Sequence, residues 1–254
     1  MYKLLALIFI ISSQLFAEQP FQLGNHFFSE ANAQSLANPQ KANELYQKAI
    51  HNYELSLKHS PSSNAYYNLG NAYFRTGDSG RAILNLKKAL LLAPRNPDIV
   101  HNLDYIRKTV ADEFPKSQFG KIVQSIFFWS KLPIALQLSI VFLSLTALLT
   151  IKARKLYNSS YQSRLTYPLL ITLLLFIISS QIAVERLSET TDGVILAQEL
   201  VARQGDGLIY EPAFTGKLHN GTEFTLLEKR GSWLQIALPD NKKCWIQEHK
   251  AALF

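Results

Sequence analysis

Apolar and polar positions change their spacing several times along the chain, and each change predicts a different element. Lys3 precedes an unbroken apolar run at 4–11, followed by Ser12, Ser13, Gln14 and then Leu15-Phe16-Ala17. A short charged start, an apolar centre and a small residue at a cleavage point predict a secretory signal over 1–17. Cleavage after Ala17 is expected. Leu15 is large for its place before the cleavage point, so an uncleaved anchor is the alternative. Residues 40–110 then follow a helical period and repeat themselves. Ala49, Tyr53, Ser56 and Pro61 recur at one constant step as Ala82, Leu86, Ala89 and Pro94, and Asn68-Leu69 recurs at nearly the same step as Asn102-Leu103. The period is about 34 residues, and paired helices at that period predict a solenoid. The stretches 132–151 and 165–184 contain no charge. From 191 onward the pattern becomes short strands separated by turn signals.

The central repeat, 63–96, carries Tyr66, Leu69, Gly70, Tyr73, Ala82, Leu86, Ala89 and Pro94. Gly70 and Ala82 are small where two helices must approach closely, and Tyr66, Leu69 and Tyr73 form one apolar stripe. Gly77-Asp78 turns the chain, and Pro94 ends the second helix because proline cannot continue it. These positions resemble the tetratricopeptide repeat, which implies an all-α solenoid over 18–118 that binds other proteins. The first repeat departs from the pattern: its first helix is expected within 21–37, with Pro39 disturbing the junction. A lone helix over 97–111 would supply the cap that a solenoid end needs.

The net charge of +7 suggests nucleic acid until it is divided by region. Residues 18–131 hold 13 Lys and Arg against 9 Asp and Glu, whereas 185–254 hold 8 against 10. Neither has the dense basic face that phosphate contacts require, so no nucleic-acid partner is expected. Apart from Lys3, the remaining excess sits in 152–164 as Lys152, Arg154, Lys155 and Arg164, between the two apolar runs. Each run is long enough to cross about 30 Å of hydrocarbon. Pro133 and Pro168 fall in first turns, where a missing N–H costs little. Phe127, Phe128, Trp129, Tyr157, Tyr161 and Tyr167 flank the runs, as aromatic residues do at lipid–water interfaces. A transmembrane hairpin follows, with its basic loop 152–164 in the cytoplasm and both flanking regions outside. The signal-like start exports 18–131 independently. The expected location is a bacterial inner membrane, multi-pass, with both terminal domains periplasmic.

The turns Gly205-Asp206-Gly207, His219-Asn220-Gly221-Thr222, Arg230-Gly231-Ser232 and Pro239-Asp240-Asn241 separate strands at 224–227, 233–238 and 244–246. About five short strands in this stretch suit a small barrel. The Asn-Gly-Thr turn, the Gly-Ser-Trp strand start, the Pro-Asp-Asn hairpin and Trp245-Ile246 resemble a bacterial SH3-like domain over 191–254, with Cys244 standing where many have glycine. The order of signal, repeats, hairpin and SH3-like domain is similar to the BatE family of the Bacteroides aerotolerance (Bat) system. Tyr66-Tyr67-Asn68-Leu69-Gly70-Asn71-Ala72-Tyr73 and Leu218-His219-Asn220-Gly221-Thr222 are its most specific stretches here. The resemblance implies a non-enzymatic scaffold whose partners include membrane proteins with von Willebrand factor A domains, in stress or oxygen tolerance. A cell-wall module that binds peptidoglycan peptides through the SH3-like domain and recruits a wall enzyme is the alternative.

No constellation carries catalysis, and no cofactor or metal is expected. His26, His51, His59, His101, His219 and His249 include no i, i+4 pair of the helical zinc type. Cys244 is the only cysteine and is expected in the core. Asp112-Glu113 is expected as a solvated helix end. Tyr210, Trp233 and Trp245 are expected in core and turn packing, with a ligand groove as the alternative. By motif register, Asn64, Tyr67, Asn71 and Phe74 of the central repeat and His101 and Tyr105 of the third face the concave side, with Asn68 and Asn102 beside them and Arg75 adding a charge. Amides there can hold the backbone of an extended peptide, and aromatic rings supply stacking area. The alternative for Tyr67 and Tyr105 is packing between repeats.

Overall fold

The computed structural model describes residues 2–112, 114, 132–158, 164–187 and 192–254, and among these the side chains from 18 onward except 182–187. Glu113, Phe127, Phe128, Trp129 and Tyr161 lie outside the described residues, as do the side chains of the signal-like stretch. The chain forms two compact units. One joins residues 1–115 to 191–254; the other is 116–190.

In the first unit, α1 (Tyr2–Gln34), α2 (Pro39–His59), α3 (Ser63–Arg75), α4 (Ser79–Leu92) and α5 (Pro97–Arg107) follow one another as antiparallel neighbours. Each start from α2 on carries its own cap. The side chains of Asn38, Ser62, Asp78 and Asn96 accept from the backbone N–H of Lys41, Ala65, Arg81 and Asp98, meeting donors that have no partner within the helix. Pro39 therefore does not disturb the first repeat. It occupies the first turn of α2, where proline's fixed φ suits helix entry. A Cβ on Gly70 would lie 3.0 Å from the Ala82 carbonyl oxygen and 3.0 Å from Leu86 Cγ. The absence of a side chain is what lets α3 and α4 close on each other. α5 is shorter than the periodicity suggests and ends at Arg107.

Residues 192–254 form a five-stranded antiparallel sheet in the order β6-β5-β4-β1-β7. Its strands are β1 (Asp192–Ile195), β4 (Glu223–Arg230), β5 (Trp233–Ala237), β6 (Lys243–Gln247) and β7 (Ala251–Leu253). β2 (Glu199–Leu200) and β3 (Leu218–His219) pair separately. The expected barrel is not closed by a strand ladder. The edge of β6 is met instead by a two-way backbone bridge between Arg203 and Trp245, each bond 2.8 Å. Gly231 (φ 58°) and Asn241 (φ 66°) take the left-handed conformations that the two tight hairpins need. Cys244 is buried, and burial pushes its thiol up to about 12.

The repeats and the sheet share one core. Val194 of β1 is fully buried in the same cluster as Ala82, Ile83, Leu86, Ile99, Leu103 and Ile106, with Leu196 and Phe254 packed against it.

The second unit contains α6 (Ile134–Tyr157) and α7 (Thr166–Leu187), which pack against each other. α6 is long and apolar enough to cross a membrane, and Thr166–Gln181 is a shorter apolar stretch. Gln137, near the start of α6, accepts from Ser179 Oγ at 2.8 Å toward the end of α7, so the helices run antiparallel. Their polarity is inverted. Gln137, Ser144 and Ser179 are buried, while Phe142 and Leu143 are each 65% exposed and Leu136, Leu149, Ile171 and Leu174 face outward as well.

Candidate functional site

The first helix of each repeat contributes to one concave cleft of about 400 Å³, lined by Phe28 from α1, Asn71, Phe74 and Arg75 from α3, and Asn102, Tyr105 and Ile106 from α5. Phe74 and Tyr105 meet edge to face, ring centroids 5.7 Å apart. Arg75 is exposed and has no ion-pair partner among the described residues. The cleft therefore offers apolar and aromatic walls, amide groups and one uncommitted cation.

Asparagines also hold the repeats to one another. Asn68 Nδ2 donates to Asn25 Oδ1 at 2.8 Å, and one repeat further on Asn102 Nδ2 donates to Asn71 Oδ1 at 2.9 Å. Tyr53 adds a hydroxyl bond to Asn25 (2.9 Å), and Tyr67 accepts from Asn102 (3.0 Å). Such bonds between half-buried amides set the register of neighbouring helices, since misalignment would leave each group unpaired. Asn68 thus serves the α1–α3 contact, and Tyr67 the α3–α5 contact. Asn71 serves both purposes: its oxygen is engaged by Asn102, and its NH2 has no partner among the described residues. The structure brings Asn71, Phe74, Arg75, Asn102 and Tyr105 together in the cleft. It leaves Asn64 and His101 outside the cleft lining, both of them exposed.

Sequence reasoning missed Phe28. Its signal was present: Leu23-Gly24-Asn25 followed by Phe28 mirrors Leu69-Gly70-Asn71 followed by Phe74. The 21-residue α2 lengthens the first repeat, so a search at the period of the later repeats passes over it. Gly24 does for α1 and α2 what Gly70 does for α3 and α4, since a Cβ there would meet the Tyr53 ring at 2.6 Å.

A second cluster lies where the sheet docks on the repeats. The turn His219-Asn220-Gly221-Thr222 sits on the start of α4. Asn220 Oδ1 accepts from the Gly80 N–H at 2.6 Å, and its Nδ2 donates to the Leu196 carbonyl at 2.8 Å. Asp112 is not a solvated helix end. It accepts from the His219 N–H at 2.8 Å and from the Thr222 hydroxyl, and meets His219 Nδ1 at 2.6 Å. Burial opposes ionisation of Asp112, but the bonds from Thr222 and His219 outweigh it and hold the carboxyl below its ordinary range. Arg107 grips Glu223 with Nε at 2.5 Å and Nη2 at 2.8 Å, and Lys87 approaches the same carboxylate at 3.2 Å. Burial pushes Glu223 upward, and the two cations outweigh that and keep it depressed. A depression of about 460 Å³ over β1, β4 and β5 includes Asp192 and Glu223. Both acids are already engaged, Asp192 by Thr225. On the sheet, Trp245 is buried beneath the Arg230 guanidinium at 4.9 Å, and Tyr210 lies over Gly205. Trp233 lines a cleft of about 300 Å³ with Arg203, Leu208 and Lys250.

Helix pairs stacked so that their first helices line a shared cleft define a helical-repeat interaction scaffold. Residues 63–96 match the tetratricopeptide repeat, a module that binds other proteins. No curated protein matches the chain.

Proposed function

We propose that this protein is a two-span membrane scaffold whose cleft between α1, α3 and α5 captures an extended, carboxylate-bearing segment of a partner protein. The cleft carries the reading: Arg75, with no ion-pair partner among the described residues, stands beside two amides and a wall of Phe28, Phe74 and Tyr105. A guanidinium suits a carboxylate, and the rings suit apolar side chains on an extended chain.

Two observations support the membrane reading. The α6–α7 pair buries Gln137, Ser144 and Ser179 between its helices and turns Phe142 and many of its leucines outward, while outer hydroxyls such as Ser139 and Thr150 bond to their own helix backbone, the arrangement that lipid favours and water does not. The shared core of the repeats and the sheet also constrains the path of the chain. Residues before α6 and after α7 fold together, so a single crossing by α6 would strand them on opposite sides. α7 returns the chain, giving two spans, 132–151 and 165–184 in the sequence-based boundaries. Lys152, Arg154, Lys155 and Arg164 between them favour a cytoplasmic loop. The repeats (18–118) and the sheet (191–254), read as an SH3-like module, then face the periplasm of an inner membrane, led there by the signal at 1–17. The resemblance to the BatE family points to von Willebrand factor A domain proteins of a Bat-type assembly as partners. The second reading, a peptidoglycan-binding module, is favoured by the Trp233 cleft and the exposed Leu208, Ile209 and Tyr210 beside it.

Truncated chains ending near Glu113, near Ser160 and at Phe254, each fused to a reporter active only outside the cytoplasm, test the topology. The first and third should be active and the second silent. Opposite results for Glu113 and Phe254 would defeat the two-span path. The cleft is tested with octapeptides bearing a free carboxylate, selected from a random library on the full chain in detergent. Arg75→Glu with Tyr105→Ala should weaken binding of the selected peptide at least tenfold, about 1.4 kcal/mol, and amidation of its terminus should do the same to the wild type. Unchanged affinity in the double variant would move the binding site elsewhere.

A further inference from the structure

We infer that the sheet is the terminal cap of the solenoid and that its grip on α5 sets the affinity of the cleft, with Arg107 as the positioning residue. This rests on the cleft reading above. α5 is only 11 residues long and has no second helix of its own among the described residues. A lone helix of that length is marginal in water, so its order comes from what packs on it. On one side, Asn102, Tyr105 and Ile106 form the third wall of the cleft. On the other, Arg107 holds Glu223 of β4 through two nitrogens. The chain beyond α5 is then strapped across the sheet. Val110 reaches Gly221, Asp112 ties to His219 and Thr222, and Phe114 packs on the sheet core with Ile236 and Leu238. The last helix of the cleft is thus pinned by residues that come after both apolar helices in the chain.

A paired guanidinium and carboxylate fixes direction as well as distance, and Arg107 directly follows the cleft residues Tyr105 and Ile106. Loosening that grip leaves α5 attached to α4 through Ile99, Leu103 and Ile106 but free to tilt. The cleft then spends part of its time with its third wall misplaced, and apparent affinity falls by the fraction lost. Linkage makes the effect reciprocal: a peptide in the cleft must strengthen sheet docking by the same factor.

The test uses the full chain in detergent, amide hydrogen exchange, and the octapeptide selected on the wild type. Arg107→Met keeps the aliphatic stem and removes the cation; Glu223→Gln removes the opposite charge and keeps the shape; Arg107→Lys keeps a cation. The Arg107→Met and Glu223→Gln chains should each show exchange in Pro97–Arg107 raised at least tenfold, with Pro39–His59 unchanged, and peptide affinity lowered about tenfold. Arg107→Lys should recover most of both. Saturating peptide should slow exchange at 219–222 in the wild type and not in Arg107→Met, a response that plain loss of stability does not produce. Unchanged exchange in α5 would overturn the cap. Raised exchange with unchanged affinity would overturn its control of the cleft. Peptide binding insensitive to Arg75→Glu with Tyr105→Ala would instead sink the cleft reading, while the exchange of α5 still reports on the cap.

Discussion

Gly70→Leu should lower the stability of the repeat–sheet unit by about 3 kcal/mol, roughly 6–12 °C in Tm for a unit of this size. The first added carbon already lies 3.0 Å from the Ala82 carbonyl oxygen and from Leu86 Cγ. A backbone oxygen cannot step aside as a side-chain end can, and Leu86 is fully buried. The three further carbons of leucine have to force α3 from α4, which opens the core that also holds Ile99, Leu103 and Val194. Gly70→Ala is the control. Its tight contact is offset by about 1 kcal/mol of helix propensity, so it should stay within about 1 kcal/mol of the wild type. Thermal unfolding of the full chain in detergent, followed by circular dichroism, decides it. Unchanged melting of the leucine variant would mean that α3 and α4 are not in close contact at Gly70.

Gly80→Ala should release the sheet from the repeats while leaving helix content intact. On helix propensity alone the change is favourable by about 1 kcal/mol. At this position, however, the new Cβ would stand 2.4 Å from the Ile195 carbonyl oxygen and 3.0 Å from Asn220 Nδ2. It falls between the start of α4 and the turn that docks on it, where the Gly80 N–H is held by Asn220. The cheapest escape is to move the sheet away, which exposes Val194 and breaks the Asp112 contacts. Limited proteolysis should then cut between 108 and 114 and near 192 at least tenfold faster, with the far-ultraviolet helical signal close to that of the wild type. Equal cutting rates would show that the sheet and the repeats do not meet at Gly80.

Much of this organisation is legible in the order of residues because it depends on local spacing. The 63–96 repeat announces itself by Gly70, Ala82 and Pro94, whose roles are steric and lie within one helix pair. The charge-free runs near α6 and α7 and the turns at Gly231 and Asn241 are likewise decided within a few residues. Phe28 was hidden by a single lengthened helix, α2, which moved its motif off the common period. Asn68 and Asn102 look from register like groups for a ligand. Only the packed helices show them donating to Asn25 and Asn71, because an amide serves a neighbouring repeat or a peptide equally well until its distances are known.

By itself, then, the sequence determined the helical repeats, two long apolar stretches, a strand-rich end and the residue types of a concave protein-binding surface. The tertiary structure alone decided that the strand-rich end docks on the last repeat. Arg107 and Glu223 are 116 residues apart, and Gly80 and Asn220 are 140 apart. Nothing in the periodicity of either segment encodes such a pairing. The reason is physical. Helices and turns arise from interactions a few residues long, each repeated often enough to leave a pattern. Docking rests on a handful of contacts made once, by a glycine without a side chain, a turn asparagine and one guanidinium, whose complementarity exists only after both surfaces have folded.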